Sequence, residues 1–322
     1  MSLFIKVATI TTSVFLSCNI FAATTLKLAH DLDRNHSVSK AFNYFAKEVE
    51  NLSNGDIKVR IYGNGQMGNA RETMELLLAG GLDLTKGSSN LEAFDDIYSI
   101  FSLPYLFRDK AHHDAVVYGD IGRKIMESSK SGGFFALSAY DTGTRSFYTN
   151  KPIHKPEDLK GLKIRVQPSP TSIKMVELMG GSPTPVAFNE IYTALQQGII
   201  DGAENNIPTW VNTRHIELTK TYSENEHTSV PDFLVISTKT WNKLTAEQQA
   251  IVLNSARNSE QWHSKVWSEE MSSAREQASS LGGVIVASDK SEFRKVVQPI
   301  YDEYRKNSKY SDLLDEIENI SP

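Results

Sequence analysis

The chain has 322 residues, which by length alone suggests two domains. With 40% hydrophobic and 23% charged residues it has the make-up of a soluble globular protein able to bury a large core. Thirty-four basic against 39 acidic side chains leave a net charge of −5, and no basic block occurs. Nucleic acid is therefore excluded as an expected partner, since counterion release needs clustered positive charge. The single cysteine, Cys18, removes disulfide frameworks, thiolate zinc sites and CxxC redox chemistry.

Residues 1–23 read as a secretory signal peptide: Lys6 is the positive start, Val7 to Leu16 the apolar stretch, Ala22-Ala23 the small-residue cleavage zone. Leu16-Ser17-Cys18 is a poor lipoprotein box, so cleavage rather than lipid anchoring is expected, with export to a bacterial periplasm. No later run approaches 18 apolar residues.

The following segment alternates over Thr25 to His30 as a strand does, and Phe42, Phe45, Ala46 and Val49 then recur at helical spacing up to Asn54-Gly55. Ile57 to Tyr62 alternates again. Asn69 with Glu72 forms a capping box for a helix burying Met74, Leu77 and Leu78, and Leu82 to Thr85 is the next strand. This β-α-β-α-β opening predicts a mostly parallel sheet with helices on both faces.

The pattern restarts after Asn150: a turn at Pro156 to Lys160, a strand at Leu162 to Val166, and a helix capped by Ser169 with Pro170 at its first position. A further helix is expected from Asn189 to Gly198, completing a second α/β lobe. From Thr245, capped with Gln248, helical spacing continues to Leu281 without proline or glycine, a span of about 55 Å at 1.5 Å per residue. Such a helix is expected to brace both lobes, with a break near Ser264 as the one alternative.

No GxSxG, HExxH, Walker or GxGxxG motif is present. His112-His113-Asp114 offers poor chelation, because adjacent side chains diverge by about 100° on a helix, and a surface helix is expected there. His30 and His36, flanking Asp31 and Asp33, sit in a loop better suited to a ligand or solvent than to a metal. Arg165, near the carboxyl end of a strand and ahead of a helix N-terminus, stands where open α/β sheets bind ligands, and its guanidinium can take a carboxylate with two hydrogen bonds. A plain ion pair with Glu157 or Glu204 is the alternative.

Stretches along the whole chain resemble the DctP-type solute receptors of tripartite ATP-independent periplasmic (TRAP) transporters. They include Gly68 to Glu72, Ser102 to Arg108, Gly143 to Arg145 with Thr149-Asn150, Pro156 to Arg165, Ser182 to Pro185, Phe188 to Gln196 and Asp201 to Asn205. The resemblance implies an α/β, two-lobed periplasmic binding protein fold, each lobe a mostly parallel sheet flanked by helices. Its first lobe would comprise residues 24–143 plus 231–270 and its second 144–230 plus 271–322. It further implies a monomer without enzymatic activity, cofactor or metal, which closes on a small carboxylate and delivers it to the TRAP permease.

By the same resemblance Arg165 would form the carboxylate salt bridge, with Arg145, Asn205 and Gln167 lining the cleft and Phe188 packing on the ligand body. Glu204 and His227 would hold Arg165 in place, and the first lobe would add His30, Asp31, Arg71, Ser88 and Asn90. Ala70 and Ser88 depart from the acidic residues of sialic-acid-binding members, while residues 167–170 and 203–206 look like the branch that takes hexuronates. Sialic acid, an aldonate or a C4-dicarboxylate remain the alternative ligands. An exported enzyme using Asp31 or Glu204 as base is the remote alternative.

Overall fold

The computed structural model describes residues 23–321, so the expected leader, with Cys18, lies outside the described residues apart from Ala23. In chain order, β1 (Thr24–Ala29), β2 (Ile57–Tyr62), β3 (Leu84–Gly87) and β4 (Phe134–Tyr140) belong to a first sheet. The chain then crosses and lays down β5 (Arg145–Thr149), β6 (Lys163–Val166), β7 (Ser182–Pro185), β8 (Gly202–Asn205) and β9 (Thr221–Thr228) in a second. It returns through β10 (Asp232–Ser237) to the first sheet, and after the long helix adds β11 (Val284–Ala287) to the second. The sheet orders are β2-β1-β3-β10-β4 and β11-β9-β5-β8-β6-β7.

Each sheet is mostly parallel, with one antiparallel strand. In the first it is β10, antiparallel to both β3 and β4; in the second it is β5, antiparallel to both β8 and β9. These are the two strands that enter a lobe from its neighbour. Their reversed direction brings their first residues, Asp232 and Arg145, beside the carboxyl ends of the parallel strands.

Local signals in the sequence form as expected. Asn69 and Glu72 make a reciprocal capping box at the head of Ala70–Ala79, Ser169 caps Pro170–Leu178, and Thr245 with Gln248 caps the long helix. That helix, Ala246–Ser280, runs 35 residues unbroken, so no interruption occurs at Ser264. Val252 and Ala256 of its first half pack in the core of the first lobe with Leu26, Phe42 and Leu234. Ala274 and Ala278 of its second half pack with Tyr148, Ile191 and Trp210 of the second lobe.

One expectation is corrected by packing. The helix Lys110–Val117 does not lie on the surface at its histidines: His112 and His113 are both buried, and His112 Nε2 lies 2.9 Å from the Ile317 carbonyl. That contact also ties the last helix, Ser308–Glu318, to the first lobe, reinforced by Arg108 donating to the carbonyls of Glu318 and Ile320. Among the described residues no helix is long and apolar enough to cross a membrane.

Candidate functional site

The carboxyl ends of β1, β3, β6 and β8 and the first residues of β5 and β10 face one another across the interlobe cleft. They wall a cavity of about 320 Å³, at the small end of the roughly 300–1,000 Å³ usual for small-molecule sites. The lobes also meet around it. The His36 ring sits edge-on to Phe188 at 6.2 Å, and the first-lobe Glu92 carboxylate accepts from the Thr171 N–H of the second-lobe helix Pro170–Leu178 at 3.0 Å.

In the second lobe the register of three neighbouring strands assembles the charged wall. Ser146 on β5 stands opposite Asn205 on β8, and Arg165 on β6 opposite Ala203 on β8, so Arg145, Glu204, Asn205 and Arg165 converge. The Arg145 Nε and Nη2 donate to the Glu204 carboxylate at 2.6 and 2.9 Å, Nη2 also to the Glu204 carbonyl at 2.9 Å, and Nη1 to Asn205 Oδ1 at 2.9 Å. Glu204 therefore fixes Arg145 first, and Arg165 only at 3.9 Å, which corrects the expected assignment of this support. Burial alone would raise the Glu204 pKa, but Arg145 foremost, and His227 beside it, bring it down to about 2.

His227 lies 3.5 Å from Glu204 and stacks on Phe147 at 4.6 Å. A register shift against β5 between Arg145 and Phe147 brings this part of β9 beneath the wall, and Glu226 there takes φ +47, a left-handed conformation rare outside glycine. Burial lowers the His227 pKa, so the ring is neutral at pH 7.

Arg165 is the less satisfied guanidinium. It is 2% exposed, and its Nε donates to the Val186 carbonyl at 2.9 Å. Its Nη1 is buried without a hydrogen-bond partner. Burial lowers its pKa to about 10, with Glu204 opposing and Arg145 adding to the fall. Two buried arginines thus share one carboxylate, which the Arg165 Nη1 approaches only to 3.9 Å, and Arg165 lines the cavity. Such an arrangement favours an anion.

In the first lobe Asp31, Ser88, Asn90 and, at the rim, Arg71 line the cavity. Arg71 is 70% exposed and paired with Glu75 at 2.9 Å, while Asn90 accepts from the Ser88 N–H and donates to the Ala70 carbonyl, bracing its own loop. Gln167 and Phe188 line the second-lobe side. His30 does not reach the cavity. Its ring lies against Phe42 and fills the space over Gly63, and burial drops its pKa to about 4.

Lys86 and Asp232 were not legible as site residues, yet both line the cavity. The Lys86 Nζ stands 3.6 Å from Asp31 and 3.5 Å from Asp232, all three side chains largely buried. A lysine inside a fully buried strand is the signal that could have exposed this trio. Elsewhere, His113, Asp114 and Asp141 cluster closely enough to hold an ion, but the Lys110 ammonium already sits 2.6 Å from Asp114 and 3.2 Å from Asp141 and supplies the positive charge.

Two lobes, a hinge of two crossing strands and a buried cleft with an unmet cationic donor define a solute-binding protein. Residues 28–307 match the family model of bacterial extracellular solute-binding protein, family 7 (DctP), and the chain belongs to that family. It is 40% identical over 303 residues to the protein YiiZ of Salmonella typhimurium, covering 93% of this chain and 92% of the relative.

A TRAP periplasmic solute-binding protein from Xanthobacter autotrophicus, solved with β-D-galacturonate, superposes with a TM-score of 0.89 at 36% identity, covering 92% of this chain and all of the other. One from Anaerococcus prevotii, with α/β-D-glucuronate, gives 0.89 at 34% identity, covering 92% and 97%. The α/β two-lobed fold and the TRAP receptor class expected from the sequence stand on these likenesses.

Proposed function

We propose that this chain is the periplasmic receptor of a TRAP transporter for a hexuronate such as D-glucuronate or D-galacturonate, which it hands to a membrane permease. The carboxylate would lie on Arg165, which lines the cavity and makes a single hydrogen bond of its own, to the Val186 carbonyl; that is the observation carrying the reading. Asn205, held through Oδ1 by Arg145 and by the Asn206 N–H, presents its amide to the same end, and Gln167 borders it. Phe188 supplies an apolar face for the sugar ring at the mouth. The solute-bound neighbours support the choice of sugar acid, and the small cavity favours a single ring. The matching family is one of solute-binding proteins, which supports a receptor over an enzyme.

Titration calorimetry of the receptor with glucuronate, galacturonate and glucose tests the assignment. Binding of at least one uronate, with glucose weaker by a hundredfold or more, is expected, because glucose leaves Arg165 buried and unpaired. Equal affinity for glucose and glucuronate would remove the carboxylate from the site.

A further inference from the structure

Resting on the uronate reading, we infer that Asp31, Lys86 and Asp232 make the first lobe a hydroxyl reader that admits monoanionic polyhydroxy acids and rejects dianions. The buried charges of the two walls are opposite in sign; the cavity's other charged lining residues, Arg71 and Glu190, are exposed to solvent. The second lobe sets Arg145 and Arg165 against Glu204 and is left positive, while the first sets Lys86 between two carboxylates and is left negative. Asp31 and Arg165 line the same cavity, so both poles bear on one ligand.

The two charge groups are also built differently. Arg145 and Glu204 are joined by hydrogen bonds of 2.6 and 2.9 Å and have little left to offer. In the trio the ammonium stands 3.5–3.6 Å from its carboxylates, beyond the roughly 2.7–2.9 Å of a formed charged hydrogen bond. Asp31 Oδ1 is buried and has no hydrogen-bond partner. Burial pulls the Lys86 pKa down, but Asp232 and Asp31 outweigh it and hold the ammonium above its ordinary value.

A sugar hydroxyl matches this spacing because it can donate to a carboxylate and accept from the ammonium at once. A carboxylate or phosphate can only accept, so at this end it would meet two like charges with a single cation to share. The ligand is thereby oriented as well as selected: acid on Arg165, hydroxyls on the trio. A second acid group at the far end, as in a C4-dicarboxylate or an aldarate, is refused.

The test is calorimetry with glucuronate and glucuronate 1-phosphate on the wild-type receptor and on Asp31→Asn and Asp232→Asn, with circular dichroism confirming the fold. The wild type should bind the 1-phosphate at least a hundredfold more weakly. Each Asn variant should weaken glucuronate and narrow the gap tenfold or more, a ratio from which the bulk of the phosphate cancels. Wild-type affinities within threefold, or a gap unchanged in both variants, would overturn the inference.

Failure of glucuronate and galacturonate to bind while gluconate or a sialic acid does would overturn the uronate reading alone. The charge rule would then be read by whether that monoanion outbinds glucarate and succinate. Best binding of succinate or glucarate would overturn both.

Discussion

The two arginines of the second-lobe wall should answer substitution in opposite ways. Arg165→Met removes a buried cation whose charge burial disfavours and whose only hydrogen bond within 3.5 Å goes to the Val186 carbonyl; the Arg145–Glu204 pair stays intact. The unliganded protein should melt at an unchanged or higher temperature, while uronate binding loses a charge-assisted pair worth about 3–5 kcal/mol, or a hundred- to several-thousand-fold in affinity. Arg165→Lys should recover only a small part, since lysine lacks the fork that serves Val186 and the ligand together. Arg145→Met instead leaves Glu204 buried with its nearest cation 3.9 Å away. That should destabilise the protein by about 3 kcal/mol or more.

Differential scanning calorimetry without ligand and titration calorimetry with glucuronate separate the two effects. Arg165→Met melting several degrees lower while Arg145→Met melts normally would show that the roles are reversed. Near-native affinity of Arg165→Lys would remove Arg165 from the site. A ligand-binding cation kept at some cost to the empty protein is the expected trade between function and stability.

Acidification should destabilise the fold. His30 and His263 are depressed to about 4 and His215 to about 3, chiefly by burial, so the native state holds them neutral while the unfolded chain takes up protons below about 6.5. Their contribution, shared by His36 (about 3) and His227 (also lowered), is present above that value and is lost as pH falls toward 4; Glu260, raised to about 7 by burial, and Glu92 and Glu270, also raised by burial, work the other way but are three groups against five. Thermal melts from pH 7.5 to 4.5 should fall throughout, and a rising profile would refute the assignment. Glu92→Gln removes a carboxylate from the head of a helix in the opposite lobe, worth about 0.5–1 kcal/mol, and should weaken glucuronate two- to fivefold without touching it; unchanged affinity would mean that this contact plays no part in closure. Small-angle scattering should show the radius of gyration fall on adding glucuronate, because a ligand held by both lobes binds the closed form better; an identical profile at saturation would rule out closure.

What the sequence made legible is what it encodes within a few residues. The caps at Asn69, Ser169 and Thr245 are closed by hydrogen bonds three residues on, and each helix begins there. Arg165 was legible too, because a strand end before a capped helix is itself a local pattern. The misreadings at the site all involve register. His30 and Asp31 are neighbours, but only Asp31 reaches the cavity, while the His30 ring goes under Gly63. Glu204 was assigned to Arg165, yet β8 lies between β5 and β6, and the Glu204 side chain closes on the arginine at the head of the antiparallel strand. Lys86 meets Asp232 only because β10 returns 146 residues later to pair Phe233 with Gly87, a contact that no local pattern announces.

The residues that head the two antiparallel strands explain how the site and the hinge come to be one device. Arg145 begins β5 and Asp232 begins β10, so each stands where the chain has just crossed between lobes. A charge placed there is covalently adjacent to the segment that must twist when the lobes move. Gly143 in the first crossing takes φ +67 against Trp267 of the long helix, and Asp141 accepts from its N–H at 2.8 Å. Under the proposed binding mode a ligand held by the trio would touch the pivot residue Asp232 directly, and on the opposite wall Arg165 is linked to the other pivot, Arg145, through Glu204, so binding and the angle between the lobes would be coupled.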